Sequence, residues 1–172
     1  GSTCGRFAGR ISNSKFYIGN KKYKLSNNEG KNILHGGKKG FDRLLWKKIE
    51  HLKQKIIYQI ESPHMDQGFP GKLVVKCVFE LRNNNLIIKY KYYSDQLTHV
   101  NLTNHSYWNL NLNKNNNIFN HDLKINADRY IEVNKYLIPT GKIKNVNKSI
   151  NDFKKYSNIG KKINLNSNKG IK

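Results

Sequence analysis

Leu73-Val74-Val75-Lys76-Cys77-Val78-Phe79-Glu80-Leu81, followed by Arg82-Asn83-Asn84-Asn85 and then Leu86-Ile87-Ile88-Lys89-Tyr90-Lys91-Tyr92-Tyr93, is the stretch that decides the fold class. Leu73, Val75, Cys77, Phe79 and Leu81 recur at every second position, the period at which a strand returns side chains to one face. The segment after the Asn-rich link is dense in aromatic and β-branched residues, which favour strands. An antiparallel pair around the link is predicted.

Working outward, Ile56 to Ser62 extends the strand signal upstream, and Val100 to Leu110 and Leu123 to Val133 extend it downstream. Phe16-Tyr17-Ile18, Gly19-Asn20, and then Tyr23 and Leu25 alternating with lysines predict a small hairpin within 16–25. Asn27 to Gly40 is polar and Gly-rich, an ordered loop. No segment holds an apolar period of 3.6 over three turns, although Ile150 to Tyr156 is expected to form a short helix capped by Ser149 or Asn151. Asn113 to Asn117 reads as a solvated loop, and alternation is lost from Lys154 onward. The class is all-β, expected to be a large antiparallel β-sandwich.

The 172 residues fit one domain, and 37% hydrophobic content suffices for a sheet-based core. There is no run of roughly 18 apolar residues and no secretory layout at the N-terminus, so a soluble, cytoplasmic protein is expected, without membrane partners. Cys4 and Cys77 form no CxxC pair and read as buried free thiols. The formal net charge of +21 raises the possibility of nucleic-acid binding, but the lysines are scattered from end to end rather than gathered in a patch. Lys, Asn, Ile and Tyr share A/T-rich codons, and a biased genome accounts for the profile. Tyr90, Tyr92 and Tyr93, interleaved with Lys89 and Lys91, are likewise explained by a half-buried strand with lysines at the edge rather than a stacking platform for single-stranded nucleic acid.

Four separated segments, taken in order, resemble the aldose 1-epimerase family. Gly5-Arg6-Phe7-Ala8-Gly9-Arg10-Ile11 is similar to the family's GRxANRI, with Gly9 where Asn is usual. Asn32-Ile33-Leu34-His35-Gly36-Gly37, Gly40-Phe41-Asp42 and Trp46 resemble its N-x-LHGG-x-x-GFD-x-x-x-W. Ser62-Pro63-His64-Met65-Asp66-Gln67-Gly68-Phe69-Pro70-Gly71 resembles SPDGEEGFPG, and the run from Asn101 to Leu110 resembles NLTNHSYWNL. Asp128-Arg129-Tyr130 and Ile138-Pro139-Thr140-Gly141 match its D-x-Y and IPTG. The resemblance spans nearly the whole chain. It implies the galactose mutarotase-like supersandwich, no cofactor and no metal, and a small-molecule sugar as partner, with free galactose and glucose as expected substrates. Sugar-phosphate epimerases share the fold, but the His-Ser-Tyr-Trp-Asn-Leu run favours the free-sugar branch.

Anomerisation needs a base to take the C1 hydroxyl proton and an acid to protonate the ring oxygen, so that the ring opens, rotates about C1–C2 and closes again. Histidine suits the acid role because its reference pKa of about 6.5 lets it give and regain a proton near neutrality. The resemblance assigns that acid to His105 and a second pocket histidine, bonded to sugar, to His35. It assigns Arg10 to the sugar hydroxyls, where a planar group with several donors reaches neighbouring oxygens. Gly9 borders the same site without the family's side-chain amide. By strand alternation Tyr107 shares the face of His105, and Trp108 takes the other. Arg6 is left structural, and His51, His64, His99 and His121 are surface or edge residues.

The family also places a catalytic glutamate near its C-terminus and a sugar-binding aspartate after a Gly-rich approach similar to Asn168-Lys169-Gly170-Ile171-Lys172; neither carboxylate is assigned here. Residues 1–172 are therefore expected to be an internal portion of the family domain. The rival functional readings are a non-catalytic sugar-binding remnant and, from a different class, a basic nucleic-acid-binding protein.

Overall fold

In the computed structural model, which describes residues 1–112 and 117–163, the chain divides into two units, 1–106 and 107 onward. The first unit holds ten strands: β1 (Thr3–Cys4), β2 (Arg10–Ile11), β3 (Lys15–Ile18), β4 (Lys21–Lys24), β5 (Ile33–Leu34), β6 (Lys47–Leu52), β7 (Lys55–Ser62), β8 (Leu73–Arg82), β9 (Asn85–Ser94) and β10 (Thr103–Asn104). Strands β6 to β9 form a four-stranded antiparallel meander in sequence order. β8 and β9 pair from Leu73↔Ser94 to Arg82↔Asn85 around the Asn-rich turn, as the alternation requires.

Leu73, Val75 and Cys77 are buried, and Leu73 and Val75 join Phe41 and Ile60 in a core flanked by Trp46, Tyr90 and Leu102. Toward the turn that face loses its cover: Phe79 is half-buried and Leu81 is 54% exposed. A second core joins Leu25, Ile33 and Phe69, packed by Phe7, Ile11 and Phe16. Its Phe16 arrives on the β3–β4 hairpin, which turns at Gly19-Asn20. β6 was not expected. Lys-Lys-Ile-Glu-His-Leu hides its period because an edge strand keeps charged groups in water, and a register shift between Lys48 and Glu50 disturbs it further.

Two short ladders tie distant parts of this unit together: β1 pairs with β10 (Cys4↔Thr103) and β2 with β5 (Arg10↔Leu34). The strand expected over Val100 to Leu110 shrinks to Thr103–Asn104, the two residues that pair with β1. Both cysteines are buried and unpaired.

The second unit holds β11 (Asp122–Leu123), β12 (Arg129–Val133), β13 (Pro139–Asn145) and β14 (Ser157–Asn158). The single strand expected over Leu123 to Val133 is thus two, with β11 paired to β14 and β12 to β13. Ile150 to Tyr156 is not helical. The Ser149 hydroxyl accepts from the Asn151 amide at 3.1 Å and donates to the Val146 carbonyl at 2.6 Å, closing a turn, and the Phe153 carbonyl is taken by the Ile125 amide. One helical turn, α1 (Ile159–Lys162), follows β14. Residues 113–116 of the Asn-rich loop and the Gly-rich approach at 168–172 lie outside the described residues. Among the described residues no helix is long and apolar enough to cross a membrane.

Candidate functional site

The β2–β5 ladder sets Arg10 beside Leu34, and His35 follows at the end of β5. There the chain turns sharply. His35 takes a φ of 51°, and the Gly37 amide donates to the Leu34 carbonyl at 3.1 Å. Gly36 has φ 91° and lies against the backbone at Gly5, where any Cβ would overlap the Gly5 carbonyl oxygen. Gly9 is bound to His35 twice: the His35 amide donates to the Gly9 carbonyl, and the Gly9 amide donates to His35 Nδ1, both at 3.1 Å.

His105 comes from the far side of the sequence. Asn101 fixes its approach by donating its amide to the Arg6 carbonyl at 2.9 Å and its side chain to the Ala8 carbonyl at 3.0 Å, while accepting from the Ala8 amide at 2.7 Å. After β10 the His105 amide donates to the Ser2 carbonyl at 2.8 Å. The two imidazoles meet edge to face, with centroids 5.2 Å apart and planes at 86°. Burial lowers the pKa of His35, the neighbouring His105 and Arg10 lower it further, and Asp42 and Glu29 oppose them.

Arg10 is held by a bidentate pair, its Nε and one terminal nitrogen each 2.6 Å from a different oxygen of Glu29. Hydrogen bonding to Glu29 raises the Arg10 pKa, and the same contact lowers that of the Glu29 carboxyl. Two half-buried imidazoles, a guanidinium fixed in one plane and the backbone at Gly9 thus lie together, a set suited to binding hydroxyls.

The aldose 1-epimerase family model matches residues 1–172. This chain belongs to that family. The galactose mutarotase of Bos taurus is 40% identical over 161 residues, covering 94% of this chain and 47% of that protein. The aldose 1-epimerase of Escherichia coli is 36% identical over 155 residues, covering 90% and 44%. Among solved structures, a GalM/aldose epimerase homologue from C. elegans superposes with TM-score 0.86 at 31% identity, covering 93% of this chain and 49% of that one. The galactose 1-epimerase of Lactobacillus acidophilus NCFM gives TM-score 0.85 at 30% identity, covering 96% and 50%. The fold is accordingly the antiparallel β-sandwich of the aldose 1-epimerases. The chain spans about half the length of the relatives it matches.

Of the residues that the aldose 1-epimerase motifs single out, Gly9, Arg10, His35 and His105 lie within the first unit. Tyr107 opens the second unit and is 88% exposed. The alternation that gave Tyr107 and Trp108 opposite faces does not extend to them, since β10 ends at Asn104 and Trp108 is also exposed, at 62%. Arg6 is 2% exposed and braces the Ser62-to-Gly71 segment: Nε donates to Ser62 Oγ at 2.8 Å, and the terminal nitrogens donate to the Ser62, Pro63 and Pro70 carbonyls at 2.7–2.9 Å. His64 caps this segment, its Nδ1 accepting from the Gly71 amide at 3.0 Å, and His99 packs on Phe16. Glu29 was missed. It lies in a polar loop whose sequence carries no periodicity, and only the three-dimensional pairing of β2 with β5 brings it to Arg10.

Proposed function

We propose that this chain supplies the acid side of a sugar site in which free hexoses, galactose and glucose among them, interconvert between α and β anomers. The observation that carries the proposal is the 5.2 Å edge-to-face pairing of His35 and His105, drawn from segments seventy residues apart in an aldose 1-epimerase. His105 protonates the ring oxygen as the hemiacetal opens and recovers the proton on closure. His35, whose Nδ1 is occupied by the Gly9 amide, offers Nε2–H to a sugar oxygen. Arg10 donates to adjacent hydroxyls, Gly9 leaves room for the sugar to approach the backbone, and Tyr107 is assigned to substrate binding by its motif. The working location is the cytoplasm, and the scattered lysines are given no nucleic-acid role.

Polarimetry of freshly dissolved α-D-galactose in weak neutral buffer tests this. The chain is expected to accelerate the change in rotation, and His105→Gln to lose about 10² to 10⁴ of that acceleration. Equal rates for parent and variant, both shown to be folded, would remove His105 from the chemistry.

A further inference from the structure

We infer that Glu29 is a specificity-determining residue: by pairing bidentately with Arg10 it cancels the guanidinium charge at the sugar site and biases that site toward uncharged hexoses over hexoses bearing an anionic group. This deepens the sugar-site proposal above and rests on it.

Both members of the pair are set by backbone hydrogen bonds. The Glu29 amide donates to the Asn32 carbonyl at 3.1 Å, and the Asn32 amide returns a bond to the Glu29 carbonyl at 2.9 Å. The neighbouring Asn28 side chain brackets Leu34, accepting from its amide at 2.7 Å and donating to its carbonyl at 3.0 Å. Leu34 is in turn the register partner of Arg10. The carboxylate and the guanidinium therefore ride on one hydrogen-bonded assembly, and their two 2.6 Å bonds are in place before any ligand arrives. The Arg10 side chain is 20% exposed and that of Glu29 37%, so water and salt screen the pair less than they would on open surface.

The consequence for ligands is one of sign. Glu29 occupies Nε and one terminal nitrogen of Arg10, and the remaining guanidinium hydrogens stay available to hydroxyls. An uncharged sugar accepts from them at no electrostatic cost. A sugar carboxylate or phosphate must compete with the Glu29 carboxylate and meets its repulsion at short range. A chain of formal charge +21 attracts anions in general, so discrimination against them has to be local, and Glu29 is the carboxylate placed at the site's arginine.

The test compares dissociation constants for D-galactose and D-galacturonate, measured by calorimetry on the parent, Glu29→Gln and Glu29→Asp, with circular dichroism confirming that each is folded. The parent is expected to prefer galactose. Glu29→Gln should narrow that preference about tenfold at low salt and by less at high salt, whereas Glu29→Asp, which keeps the charge, should stay near the parent. An unchanged ratio in Glu29→Gln, or an equal shift in Glu29→Asp, overturns the inference while leaving the sugar site standing. A parent that binds neither sugar and does not accelerate mutarotation removes the sugar site itself, and this inference with it.

Discussion

The Gly9 amide donates to Nδ1 of His35 at 3.1 Å, which fixes the tautomer of the imidazole: the accepting nitrogen carries no proton, so neutral His35 holds its hydrogen on Nε2. Burial, reinforced by His105 and Arg10, holds the folded-state pKa of His35 below its ordinary value. The unfolded chain therefore binds this proton at a pH where the folded chain does not. The associated stability is present above about pH 6.5, the unfolded value, and is lost as pH falls through it toward the folded pKa. Nitrogen NMR should report the Nε2–H tautomer at neutral pH. His35→Asn, whose amide oxygen can replace Nδ1 as acceptor, should flatten the acid side of the melting-temperature profile; an unchanged slope would show that His35 is not the group responsible.

Arg6 does for the fold what Arg10 does for the site. Arg6 is 2% exposed and its guanidinium meets four oxygens at 2.7–2.9 Å, while Ser62 Oγ passes a further bond to Asp66 at 2.5 Å. Burial pulls its pKa down to about 10, against the opposing pull of Asp66 and Asp95, so it stays charged at neutrality. Lysine has no planar fork and only three N–H donors, so it leaves at least one of these four acceptors unpaired, at about 1–3 kcal/mol. Arg6→Lys should lower unfolding free energy in urea by about 1–3 kcal/mol, and a loss below about 0.5 kcal/mol would show that the Ser62-to-Gly71 segment is held by other means.

What could be read from the residues alone follows the range of the interactions. The alternation of β8, its return along β9 and the Gly19-Asn20 turn are set by neighbours in sequence, and all three appear where expected. The helix expected at Ile150 to Tyr156 failed because the Ser149 hydroxyl closes a turn as readily as it starts a helix. Gly9, Arg10, His35 and His105 were marked by motif, but their grouping depends on two ladders of two residues each, β2–β5 and β1–β10, and no local period reports these. Glu29 belongs to the same class: its bond to Arg10 spans nineteen residues and leaves no trace in the pattern.

Gly36 tests whether the His35 turn can be disturbed without touching a functional side chain. Its φ of 91° disfavours any other residue, and a Cβ there would overlap the Gly5 carbonyl oxygen, which is backbone and cannot rotate away. Gly36→Ala should cost about 2–4 kcal/mol of stability and displace His35 from His105. A variant that melts with the parent and keeps the tautomer signal of His35 would mean that the loop relaxes freely.

Gly9 presents the opposite case. Its φ is 84°, but a Cβ there meets nothing within 4 Å, so the obstacle to a side chain is backbone preference rather than space. Asn is among the residues that accept left-handed conformations most readily, and Gly9→Asn should cost only about 1 kcal/mol. The bond to His35 Nδ1 comes from the backbone amide and is kept. Gly9→Asn places an amide beside Arg10, and one added hydrogen bond to a sugar hydroxyl is worth about 0.5–1.5 kcal/mol, a gain in affinity of roughly two- to tenfold. Gly9→Ala is the control, since it pays the backbone cost without the amide. Titration with galactose should show Gly9→Asn tighter than the parent and Gly9→Ala weaker or equal; if Asn and Ala bind alike, the sugar does not reach position 9 and the Gly9 edge of the site must be redrawn.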